Sequence, residues 1–289
     1  MKTFKNILIA ALLSGAVLSL VLSSCQKEFN PKSYAPPKPP PSFSGYSKSV
    51  DIEPTHLVAY WPFNGDLKDS ISGTAGTATG TTSFVKGVEG QGVSFSGTSY
   101  VISDVPAKVK SLHSFTMSTW VNMPLNSNGA IGLVDIAHTQ NFWGNLDLFF
   151  DNGGSDTSGV LKVHAYNDAT STSGVDGWEG GYHVSQPWGH WTQVVITYND
   201  TDGTFIVYYD GNPAGNNTPA SFTPLDWTGL TKMVFGTLQF QTNPSLTSAT
   251  GSQGWAGYLQ GTLDQVRVYD EVLSAPQVSA LYNLELLGR

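Results

Sequence analysis

The sequence is short of cysteine, of charge and of glutamate. Its 289 residues include one cysteine, Cys25, so no intrachain disulfide can form. Charged residues are only 12% of the chain, with 14 Lys and Arg against 22 Asp and Glu. A formal net charge of −8 argues against nucleic-acid binding, which needs clustered Lys and Arg. It suits neutral ligands, or cations held by carboxylates. The apolar run from Ile7 to Leu22 is short for a bilayer span, which takes ~20 residues. What is abundant is glycine (31), tryptophan (8) and tyrosine (12), with Ser, Thr and Asn around them. That composition describes many short strands joined by turns and little helix.

The N-terminus reads as an address. Lys2 and Lys5 precede the apolar run, as in the charged start and h-region of a secretory signal peptide. Leu22-Ser23-Ser24-Cys25 resembles a lipobox, which implies a signal peptide over residues 1–24 and an acylated Cys25. Several acyl chains, at ~0.8 kcal/mol per buried CH₂, make a lasting anchor where one is marginal. Residues 25–52 read as a tether containing Pro36-Pro37-Lys38-Pro39-Pro40-Pro41, extended at ~3.1 Å per residue. Gln26 after the cysteine does not resemble an inner-membrane retention signal, and the charged residues that follow resemble the export signals of Bacteroidetes-type lipoproteins. The expected location is the outer membrane, with membrane contact through the lipid anchor only.

Residues 53–289 carry strand signals throughout. Ser114 to Asn122 alternates, with Phe115, Met117 and Val121 on one face. Gly92 to Phe95 and Ser99 to Ile102 read as a hairpin around Ser96-Gly97-Thr98. Asp147 to Phe150 and Val160 to Tyr166 follow across a Gly-Gly turn. Trp191 to Tyr198 and Thr204 to Tyr209 flank the loop Asn199-Asp200-Thr201-Asp202-Gly203, a second hairpin. Leu57 to Trp61, Lys232 to Phe235 and Gly261 to Tyr269 complete the strands. One helix is expected near the C-terminus, where Ser274 and Gln277 form a capping box ahead of Val278, Leu281 and Tyr282. The architecture is all-β, a sandwich or jelly roll with one short C-terminal helix.

Five blocks then resemble, in order, the bacterial laminin-G-like domains of the concanavalin A-like superfamily. They are His56 to Ser70, Gly90 to Gly97, the Phe-Thr-x-Ser-x-Trp-Val pattern of Ser114 to Val121, and His190 to Tyr198 with Tyr209-Asp210-Gly211. The fifth is Gly261 to Tyr269 with Leu273-Ser274. The resemblance spans residues 56–282 and implies two large curved antiparallel sheets in a jelly-roll sandwich.

Three kinds of site are open. Asp264 shares strand parity with Val266 and Val268, so its carboxylate faces the buried side and needs donors or a metal. The resemblance brings the loop carrying Asp66 and Asp69 beside it, and similar domains carry calcium there. The alternatives are a structural Ca²⁺ on Asp66, Asp69 and Asp264, or backbone caps and Asx-turns made by the same residues. Aromatic residues are the second kind. Trp61, Trp120 and Trp191 fit strand positions, whereas Trp143, Trp178, Tyr182, Trp188 and Trp255 sit in Gly-, Asn- and Ser-rich runs that read as loops. With Asn145, Glu179 and His183 they offer flat faces beside hydrogen-bonding groups, which suits a sugar. Catalysis is the third. The domain has only Glu53, Glu89, Glu179, Glu271 and Glu285, and none falls in the E-x-D-x-x-E strand of family-16 glucanases. Neither the Gln-x-His pattern of alginate lyases nor a nucleophile elbow is present. The expectation is a non-catalytic module for glycan or polysaccharide, with adhesion to a cell-surface protein as the alternative and a hydrolase or lyase as the third.

Overall fold

The computed structural model describes residues 40–168 and 174–289. The signal segment, Cys25 and most of the proline-rich stretch therefore lie outside the described residues. The folded unit runs from Pro41 to Arg289.

Two eight-stranded sheets lie face to face. Numbered in chain order, the first sheet runs β13 (Asn212–Asn217), β12 (Thr204–Tyr209), β11 (Thr192–Asn199), β6 (Phe115–Asn122), β16 (Gln260–Tyr269), β4 (Gln91–Ser96) and β3 (Thr82–Lys86), with β1 (Leu57–Trp61) paired to β16. The second runs β10 (Val175–Ser185), β9 (Ser158–Asn167), β8 (Leu146–Ser155), β7 (Ala130–His138), β14 (Leu230–Phe235), β5 (Tyr100–Asp104) and β2 (Gly76–Thr79). A short β15 (Ala256–Gly257) joins β7 in parallel; the other pairings are antiparallel. Strand alternation explains the core. Phe115, Met117 and Val121 of β6 meet Leu146, Leu148 and Phe150 of β8 and their neighbours in one apolar cluster between the sheets.

Each sheet also has a covered outer face. Helix α1 (Ala275–Leu286) lies on the first, where Val278, Leu281 and Leu284 cluster with Val195, Tyr208 and Tyr269. The expected capping box forms, with Gln277 Oε1 accepting the Ser274 N–H at 2.8 Å. Beneath the helix, fully buried Arg267 and Glu285 meet at 2.8 Å, and Trp120 Nε1 donates to Glu285 at 2.7 Å. On the second sheet, Ala130, Phe149, Leu238 and Phe240 form a smaller cluster with Phe142, Trp143 and Ala256. Among the described residues no helix is long and apolar enough to cross a membrane.

Several expectations are corrected. Gly92–Phe95 and Ser99–Ile102 do not form a hairpin, because β4 pairs in the first sheet and β5 in the second. Ser99 Oγ accepts the Ser96 N–H at 3.0 Å and the chain turns a corner at Gly97, φ +82°. Alternation reports that one face is buried, not which sheet buries it. The Gly153-Gly154 pair sits in a bulge of β8, and the turn to β9 falls after Ser155. The run around Trp178 is strand, not loop. Finally, the end of the expected tether is folded. Phe43 and Tyr46 pack at the helix, Ile52 is buried there, and the Ser49 N–H donates to Arg289 O at 2.9 Å.

An aromatic platform over a row of acidic groups

Strand register builds the candidate site on the outer face of the second sheet. Asp135 of β7 lies opposite Asp147 of β8, Asp147 opposite His164 of β9, and His164 opposite Trp178 of β10. Directly opposed residues share a face, so four strands place two carboxyls, an imidazole and an indole in one line. Asp176, two residues before Trp178, shares that face.

The hydrogen bonds along the line are short and directional. His164 Nδ1 lies 2.9 Å from Asp147 Oδ2, and its Nε2 lies 2.8 Å from Asp176 Oδ1. With a carboxylate at each nitrogen, both nitrogens must donate, which makes the ring an imidazolium. Burial pulls His164 toward the neutral form, but the bonds to Asp147 and Asp176 win and hold it above the usual histidine value. The bond from His164 in turn keeps Asp176 below the usual carboxylate range. Asp135 is different. Complete burial, then the neighbouring Asp147 charge, hold it well above that range, which favours the neutral acid. Its Oδ2 accepts the Gln239 N–H at 2.7 Å. Gly144 closes over this pair. Its N–H donates to Asp147 at 3.1 Å, and a Cβ there would sit 2.6 Å from the Ile136 carbonyl.

Rings cover the line. Trp143 stacks on Phe149 (centroids 5.4 Å, 16°) and meets Trp178 edge-on at 5.1 Å and Trp255 at 5.9 Å. His164 lies 4.7 Å from Trp178 and 5.6 Å from Trp143. The rings reach the surface at two points, with Trp178 42% exposed and Trp255 44%. Gln239 ties the loop before β8 in place, donating to the Asn141 and Phe142 carbonyls at 2.9 Å. Beyond Trp255 the surface opens into a groove of about 490 Å³, whose lining includes Ser127, Asn128, Asn152, Trp255 and Tyr258. Gly129, φ +86°, is required at its floor, because a Cβ would meet the Trp255 carbonyl at 2.0 Å.

The expected ligand residues divide. Trp143 and Trp178 belong to the platform. Asn145 is buried and holds a loop, donating to Tyr166 O and Asp168 Oδ2 at 3.1 Å. Glu179 points the other way. It opposes Val163 on the inner side of β10, fully buried, with neither carboxylate oxygen bonded, and burial pushes it up to about 7. Tyr182 also packs against the core. His183 is exposed on β10. Trp188 secures a loop, its ring 5.1 Å from Phe150 and its Nε1 donating to Ser155 O at 2.7 Å. Asp135, Asp147, His164 and Asp176 were not anticipated.

The residues expected to hold calcium do not fit that ion. Among the described residues Asp66, Asp69 and Asp264 form no group with ligand atoms within 4.8 Å of one another. Asp69 Oδ1 accepts the Tyr60 and Ile71 N–H groups at 2.7 and 3.0 Å, and Oδ2 accepts from Ser72. Asp264 Oδ2 accepts from Val88 and Glu89, and Oδ1 accepts from Gln265. Asp66 makes an Asx-turn to the Lys68 N–H at 3.0 Å. Carboxylate oxygens already filled by N–H donors are poor cation ligands. The parity argument also fails. Gln265, φ +51°, bulges β16, so Asp264 opposes Trp120 on the helix side, away from Val266 and Val268. Among the described residues the side chains that do converge are Glu53, His56 and Glu271, where His56 is hydrogen-bonded with Asp270 at 2.8 Å and lies 3.2 Å from Glu271.

The family model described as the concanavalin A-like lectin/glucanases superfamily matches residues 95–279. No curated protein matches the chain. Among solved structures, domain 4 of AbnA, an extracellular arabinanase of Geobacillus stearothermophilus solved with arabinotriose, is similar. The TM-score is 0.53 at 20% identity, covering 78% of this chain and 97% of that one. The binding domain of botulinum neurotoxin DC, solved with SialylT, is similar at TM-score 0.53 and 11% identity over 79% of this chain and 51% of that one. The same toxin domain solved with rat synaptotagmin II gives TM-score 0.53 at 13% identity, covering 81% and 52%. The chain spans about half the length of these toxin domains.

Proposed function

The chain belongs to the concanavalin A-like lectin/glucanases superfamily, and on that premise we propose that it binds glycan without cleaving it, as a lipoprotein held at the outer membrane through Cys25. The observation that carries this reading is the pair of exposed indoles, Trp178 and Trp255, flanking Trp143. Exposed rings beside amide and hydroxyl groups match the C–H faces and hydroxyl edges of a sugar. The arabinotriose and SialylT complexes of similar folds lend it support by analogy. The acidic line supports binding over hydrolysis. A glycosidase needs two carboxyl groups that both reach the scissile bond, whereas Asp135 and Asp147 are fully buried and Asp176 alone opens to solvent.

The test is a glycan array followed by calorimetry on the best ligand, with Trp178→Ala and Trp255→Ala compared with the parent. Each ring is worth about 1 kcal/mol, so each variant should bind roughly fivefold more weakly with an unchanged circular dichroism spectrum. Equal affinity in both variants would refute the assignment. A blank array from a folded chain would redirect it to a protein partner.

A further inference from the structure

The platform and the groove differ in what they offer a charged sugar. The groove is lined by no ionisable side chain other than the phenol of Tyr258. The cation nearest the rings, His164, is fully buried and spends both nitrogens on Asp147 and Asp176. The cation beyond it on the same strand, Lys162, is paired with Asp151 at 2.5 Å. The group that does reach solvent is Asp176, whose side chain is 56% exposed on the face that carries Trp178. Asp176 is thus the exposed end of a line that sets three carboxyl groups, Asp135, Asp147 and Asp176, against the single imidazole of His164. An anionic sugar stacked on Trp178 would lie beside this carboxylate, and the two basic groups on the neighbouring strand β9, His164 and Lys162, are already paired. Like charges a few ångströms apart repel, and salt relieves the repulsion only in part. A neutral sugar pays none of this and can use Asp176 as a hydrogen-bond acceptor for a hydroxyl.

Resting on the glycan-binding reading above, we propose that the ligand is an uncharged polysaccharide segment, and that Asp176 discriminates against chains bearing uronate or sulfate. Asp176 is a specificity-determining residue in this account, and His164 is the positioning residue that fixes its carboxylate.

The experiment immobilises the full chain and measures binding to neutral arabinan, galactan, β-glucan and dextran, and to polygalacturonate, alginate and dextran sulfate, at low and high salt. Neutral members should bind more tightly than anionic ones at low salt, and their binding should change little with salt. Asp176→Asn keeps an acceptor for His164 but removes the charge. It should raise binding of anionic members roughly threefold at low salt relative to the parent, an effect that salt abolishes. Anionic chains bound as tightly as neutral ones by the parent, or an Asp176→Asn variant with unaltered discrimination, would overturn the proposal while leaving glycan binding intact. Failure to bind any member would instead overturn the glycan-binding reading itself.

Discussion

Replacing Glu179 with methionine should make the protein more stable, and by an amount that depends on pH. Methionine has nearly the same length and no charge, so the inner face of β10 keeps its packing. The carboxyl is fully buried with no hydrogen-bond partner, and burial moves it from the ordinary 4.5 to about 7. Between those values the folded state holds a proton that the unfolded state has released. Stability is therefore lost as pH rises from about 4.5 to 7, and the loss is complete above that. At 1.36 kcal/mol per pKa unit, the full loss is on the order of 3 kcal/mol. Asp264 is also pushed up to about 7 by burial, so the parent's pH profile alone is ambiguous. Subtracting variant from parent removes that shared contribution. Urea unfolding followed by tryptophan fluorescence at pH 4.5, 6 and 8 should show Glu179→Met ahead by about 3 kcal/mol at pH 8, with the gap shrinking steadily toward pH 4.5. A gap that is the same at every pH, or a variant less stable than the parent at pH 8, would refute the reasoning.

Two further substitutions probe the helix and what lies under it. Gln277→Ala removes the acceptor for the Ser274 N–H and a donor to Glu53 at 2.6 Å, and should cost about 1 kcal/mol in denaturant unfolding. Arg267→Met strands Glu285 as an uncompensated buried charge and should cost about 3–5 kcal/mol. Glu285→Gln added to it should recover part of that loss, measurable as a rise in the unfolding midpoint.

The sandwich was legible because its strands obey period two and its helix carries a side-chain cap. Phe115, Met117 and Val121 fall on one face by counting alone, and Ser274 with Gln277 marks the first turn of α1. Counting failed where one residue breaks the period. The bulge at Gln265 moved Asp264 to the opposite face from the one its parity implied. Glycines at 177, 180 and 181 hid the strand that carries Trp178 and Glu179, since a glycine shows no preference for either face. The acidic line left a trace that could have been used. Asp135, Asp147 and His164 each sit between two apolar neighbours in a strand-like run, which marks them as outward-facing on a sheet otherwise buried. That they lie opposite one another is a matter of register, and register between strands is set by the whole sheet.

The Ser49–Arg289 hydrogen bond brings both ends of the folded unit to the helix-covered face of the first sheet. Trp178 and Trp255 lie on the outer face of the second. A sandwich has two outsides, and here the ends of the folded unit meet on one while the exposed rings lie on the other. Fusing a reporter or a surface linker to either terminus should leave the rings facing outward, much as a bracket presents the side turned away from the wall.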